Sequence, residues 1–63
     1  MSPYVKDIIL PFLRQLGRGT ILRTRVVAEL LGYSQRQVYN FFVELERVGV
    51  ITRNPGGKVW RLA

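Results

Sequence analysis

The 63 residues carry ten Lys and Arg against four Asp and Glu, a formal charge of +6, with an isoelectric point of about 10.9, so polyanions are the expected partners. A chain this short hides only roughly 60% of the surface its unfolded form exposes, which leaves room for one core and one domain over 1–63. There is no Cys, which excludes disulfides and a thiolate zinc site and leaves stability to apolar packing.

Ser2 followed by Pro3 has the form of a helix start. Tyr4, Val5, Ile8, Ile9, Phe12, Leu13 and Leu16 then recur at helical spacing and Gly17 offers a stop, giving helix one over 3–16. Pro11 interrupts this pattern, so the helix either kinks or restarts there, and one kinked helix is the expectation. The same interruption makes the apolar stretch from Ile8 to Leu13 too short for a membrane span or a secretory core. A soluble, cytoplasmic chain is expected, nucleoid-associated if prokaryotic.

Residues 20–22 read as a brief edge strand or an extended linker. Thr24 is the expected N-cap of helix two over 25–31, which carries Val27, Ala28 and Leu31 on one face and ends at Gly32. Ser34 with Gln37 three residues on has the form of a capping box. It opens helix three, over 35–48, whose residues Val38, Phe41, Phe42, Leu45 and Val48 share one side. Arg36, Tyr39, Asn40, Val43 and Arg47 occupy the other, and Gly49 closes the helix. Residues 50–53 and 58–62 read as strands joined by Asn54, Pro55, Gly56 and Gly57, a hairpin over 50–62 with a basic tip. Trp60 alternates with Leu62 and is expected to be core beneath this hairpin.

Only Gly32 and Tyr33 separate helices two and three, so the second helix must turn sharply across the first, as in a helix-turn-helix. The Thr24 cap, Ala28 at a close helix approach, Leu31-Gly32-Tyr33-Ser34 at the turn, Val38 and Leu45 in the core, Gly49 before Ile51, and the strand Lys58-Val59-Trp60-Arg61-Leu62 together resemble the winged helix-turn-helix family. The resemblance implies an α+β, mostly helical fold of three helices with a C-terminal two-stranded β-hairpin wing and a short third strand at 20–22. It also implies that helix three enters the major groove of double-stranded DNA while the wing touches phosphate or the minor groove.

The residue chemistry supports the same expectation independently. A major groove roughly 12 Å wide accepts one helix, read from side chains near its N-terminus. Gln35, Arg36, Gln37, Tyr39 and Asn40 occupy that region and are the expected base contacts, led by Arg36 and Asn40. Arg can bond two guanine acceptors, and Gln and Asn can pair with adenine. Gln37 has an equal claim as a capping residue, and Tyr39 as a flank-packing one. Arg25, Arg47, Arg53, Lys58 and Arg61 are the expected contacts to the DNA backbone. Basic residues at a hairpin also guard a sheet edge against aggregation, which is the competing role for the last three. Arg18 and Arg23 add charge nearby.

No His or Cys is present, and Asp7, Glu29, Glu44 and Glu46 lack a spacing that would pair carboxylates in a cleft. With no phosphate loop or metal-ligand cluster in the sequence, neither an enzyme nor a cofactor or metal is expected. A sequence-specific transcription regulator is the leading expectation, with a nonspecific DNA-coating, chromatin or replication component and a winged-helix docking module as alternatives. Val26, Leu30, Phe41 and Val43 exceed what so small a core can bury. Some of them, with Tyr4 or Ile8 of helix one, are expected to form a homodimer interface, which suits a regulator reading two half-sites, while Val43 projects from the recognition face toward a thymine methyl or a protein partner.

Overall fold

Pro11 shapes the first element. A proline nitrogen donates no hydrogen bond, and its ring crowds the carbonyl four residues back. The chain meets this with a π-helical stretch, Val5–Ile9, that runs directly into helix α1, Leu10–Arg14. Ile9 at the junction is helical (φ −71°, ψ −47°), so the path does not break, and Pro11 lies in the first turn of α1, where its missing donor costs little. The expected kinked helix is thus a wide turn followed by a regular one. Its last bonds tighten to three-residue spacing, Gln15 N–H to the Phe12 carbonyl (3.3 Å) and Leu16 N–H to that of Leu13 (3.0 Å), so α1 ends before Leu16.

The computed structural model describes residues 5–54 and 59–63. The expectations placed on Ser2, Pro3 and Tyr4, and on Pro55, Gly56, Gly57 and Lys58 of the hairpin tip, lie outside them. After a turn through Gly19 (φ +77°) comes strand β1, Ile21–Leu22, followed by α2, Thr24–Leu31, and α3, Gln35–Arg47. Strands β2, Ile51–Arg53, and β3, Trp60–Leu62, complete an antiparallel sheet in the order β1-β3-β2. Ile21 faces Arg61 and Leu22 faces Trp60 across one ladder; Thr52 faces Arg61 and Arg53 faces Trp60 across the other. Asn54 N–H donates to the Val59 carbonyl at 3.0 Å, extending the hairpin one pair beyond the strands. The architecture is α+β, mostly helical, and compatible with a winged helix. The short strand expected at 20–22 is present as the outer strand β1.

Two local expectations require correction. Thr24 is not the cap of α2: Arg23 holds that position in extended geometry (φ −116°, ψ 130°) with no side-chain cap bond, and Thr24 is the first helical residue. With Leu22 in β1 and Thr24 in α2, Arg23 is the single residue between strand and helix. Val48 does not join the core; it is 57% exposed. It lies where the chain leaves the helix, and Gly49 (φ +80°) then reverses direction. Gly49 N–H bonds the Glu46 carbonyl and Val50 N–H that of Leu45, at 3.1 and 3.0 Å, the paired bonds of a Schellman motif.

The core takes Ile9 and Leu13 from the first helical segment, Leu22 from β1, and Val27 and Ala28 from α2. Val38, Phe42 and Leu45 of α3, Ile51 of β2 and Trp60 of β3 complete it. Trp60, 3% exposed, is buried as its alternation with Leu62 suggested. Phe41 and Val43 pack partly against this core, whereas Val26 and Leu30 remain 48% and 66% exposed. No helix among the described residues is long and apolar enough to cross a membrane.

Candidate nucleic-acid interface

Ser34 fixes where α3 begins. Its Oγ accepts the Gln37 N–H at 3.1 Å while Gln37 Oε1 accepts the Ser34 N–H at 2.9 Å, so the capping box forms in both directions. This reciprocal pair satisfies two groups that the first turn would otherwise leave open. It also engages the amide oxygen of Gln37 with the backbone, leaving its NH2 group for other contacts.

Advancing about 100° per residue, α3 buries Val38, Phe42 and Leu45 and turns Arg36, Asn40, Val43 and Arg47 to the opposite side. Arg36, Asn40 and Arg47 are exposed and have no hydrogen-bond or ion-pair partner among the described residues. Gln35 is exposed at the start of the same helix. The result is a polar stripe about three turns long, with half-buried Val43 as its one apolar member.

The flank of α3 nearest the hairpin is built differently. The Tyr39 ring meets the Trp60 ring edge-on at 6.0 Å, and Trp60 meets the core ring of Phe42 at 5.4 Å. The Arg53 guanidinium lies 4.0 Å from the Trp60 ring centre and 5.7 Å from that of Tyr39. One of its terminal nitrogens is 3.9 Å from Glu46 Oε1, between side chains 28% and 39% exposed. Its Nε is buried without a hydrogen-bond partner. A stack running from Phe42 through Trp60 and Arg53 to Tyr39 therefore ties the hairpin to the middle of α3. Arg53 is available to a phosphate only through the part of the guanidinium that this stack leaves exposed.

The other expected backbone contacts fall in separate places. Arg61 is exposed on the opposite face of β3 from Trp60, alongside its cross-strand neighbours Ile21 and Thr52, and thus on the opposite sheet face from Arg53. Arg25 pairs with Glu29 one turn along α2 at 3.6 Å, between side chains 77% and 71% exposed. Such a solvated pair contributes little and leaves the cation accessible. Arg47 closes the α3 stripe, and Lys58 lies outside the described residues.

Glu46 and the aromatic bed under Arg53 were missed by sequence reasoning. Glu46 follows Tyr39 by two helical turns, so their common flank was legible from spacing. That Arg53 would reach the same flank depends on the β2–β3 register, which spacing alone does not supply.

Comparison with curated proteins and with solved structures yields no match. The family described as FaeA-like protein matches residues 5–62, nearly the whole chain. On that match the chain belongs to the FaeA-like protein family.

Proposed function

We propose that this protein is a winged helix-turn-helix transcription regulator that binds double-stranded DNA sequence-specifically, with α3 in the major groove and the β2–β3 hairpin as the wing. The observation that carries the reading is the stripe of Arg36, Asn40 and Arg47 on the outer side of α3, exposed and unpartnered among the described residues in a chain of charge +6. Membership of the FaeA-like family supports a DNA-binding regulator type of domain.

In this reading Arg36 and Asn40 read base edges, aided by Gln35 and by the free NH2 group of Gln37. Tyr39 lies at the groove wall, and Val43 meets a thymine methyl. Arg25, Arg47, Lys58 and Arg61 neutralise phosphates, while Arg53 chiefly holds the wing against α3. The role is non-catalytic and needs no cofactor, consistent with a sequence free of His and Cys.

The test is fluorescence anisotropy of the whole protein with random duplexes and with duplexes enriched by selection on it, each at two salt concentrations. Tighter binding to the enriched pool that persists at higher salt is the expected result. Equal binding to both pools, lost together as salt rises, would replace the regulator with a DNA-coating protein. Absence of binding to either pool would remove DNA from the reading altogether.

A further inference from the structure

A second surface lies away from α3. The end of α1, strand β1 and the outer flank of α2 enclose a groove of about 410 Å³ to which no α3 residue contributes. Phe12 and Leu16, half-buried, are part of its lining. Ile21, Val26 and Leu30 rise along it, 51%, 48% and 66% exposed. Its volume lies in the roughly 300–1,000 Å³ range of side-chain and ligand pockets. Isolated exposed apolar residues are ordinary, but five that border one concavity form a continuous apolar site.

The charged lining of this groove is basic. Arg23 is part of its lining, and Leu16 is shared with a second depression of about 340 Å³ that contains Arg14 and Arg18. All three arginines are exposed and have no partner among the described residues. No Asp or Glu among the described residues lines either depression, and Glu29, beside Leu30, has Arg25 one turn away to balance its charge.

We propose that this groove docks an acidic amphipathic helix from a partner protein. Leu, Ile or Phe side chains at i, i+3 or i+4, and i+7 of that helix would enter between Ile21, Val26 and Leu30, and its flanking carboxylates would meet Arg23 in the lining. A second copy of this chain fits less well, because a two-fold contact here would bring the unpaired Arg23 of both copies into one interface. Duplex DNA would satisfy the arginines and leave the apolar floor in water. An anionic bilayer would meet a convex apolar face more readily than a trough. The proposal does not depend on the DNA reading, since the two surfaces share no residue.

The probe is a fluorescein-labelled helical peptide of about fifteen residues, with three Leu anchors on one face and Glu on both flanks. Controls are the same composition scrambled off the helical face and a version with Lys in place of Glu. Binding is followed by anisotropy, and its location by backbone amide shifts in the full chain. The expected shifts centre on Ile21, Arg23, Val26 and Leu30, with both controls binding about tenfold or more weaker. Leu30→Glu and Arg23→Gln, both at exposed positions, should each weaken the probe about tenfold while leaving the far-ultraviolet spectrum unchanged. Lack of probe binding, equal binding of the scrambled peptide, or shifts centred on Arg36, Asn40 and Arg47 would each overturn the proposal. So would self-association in sedimentation equilibrium that Leu30→Glu abolishes, since a second copy would then cover the groove.

Discussion

Replacing Arg53 with Met keeps an unbranched stem over Trp60 and removes the guanidinium, which separates what the charge contributes from what the packing contributes. The cation–π contact, 4.0 Å from the ring centre of a buried Trp60, is worth about 1–2 kcal/mol. The Glu46 pair at 3.9 Å, half in solvent, adds about 0.5–1 kcal/mol. Against these stands the buried, unpartnered Nε, whose desolvation costs about 1–3 kcal/mol and disappears with the group. The terms nearly cancel, so Arg53→Met should change stability by no more than about 1 kcal/mol. Arg53→Ala also strips the stem from the ring and should cost about 1–2 kcal/mol more, at about 0.8 kcal/mol per fully buried methylene. Urea unfolding of the three proteins measures both numbers, and a loss of about 1 kcal/mol would lower Tm by about 4–8 °C in a domain of this size. A Met variant destabilised by more than about 2 kcal/mol would refute the cancellation, and an Ala variant as stable as Met would show that the stem contributes no packing.

Three further outcomes are expected. Arg36→Ala should weaken binding to a selected duplex by about 1–3 kcal/mol and relax preference at one base pair, measured by anisotropy over a set of single-site duplex variants. Ser34→Ala removes the Oγ acceptor of the Gln37 N–H and should cost about 0.5–2 kcal/mol in urea unfolding, whereas Ser34→Asn should cost less than half of that. A Cβ added at Gly49 would meet nothing within 4 Å, but the residue lies at φ +80°, so Gly49→Ala should cost about 1–2 kcal/mol in the same assay, from backbone conformation alone.

Signals confined to one turn of chain were the most legible in the sequence. Ser34 and Gln37 form their box, and Gly32 and Gly49 both take positive φ where the helices stop. Each depends only on bonds between residues a few positions apart, which composition and spacing specify directly. Where a residue must answer to two elements, local reasoning failed. Thr24 is a good cap by type, but the helix begins one residue earlier, directly after the strand in which Leu22 pairs with Trp60, with Arg23 at the cap. Val48 continues the apolar period of α3 but falls just beyond its last helical turn. At the candidate site, the outer stripe of α3 followed from helical periodicity. The split between Arg53 and Arg61, on opposite faces of the sheet, needed the register of β3 against both neighbours.

The position of β3 between β1 and β2 also bears on how the chain assembles during synthesis. Helices α2 and α3 are joined by a short turn and can meet as soon as both have emerged, because closing so small a loop costs little entropy. Strands β1 and β2 do not pair with each other, so each keeps an open ladder until residues 60–62 leave the ribosome. Until then both backbone edges of β1 are open, edges of the kind that template association between nascent chains. Arrival of β3 closes both ladders and buries Trp60 in one event, so a fragment ending before Trp60 would lose its entire sheet together with one of its core side chains.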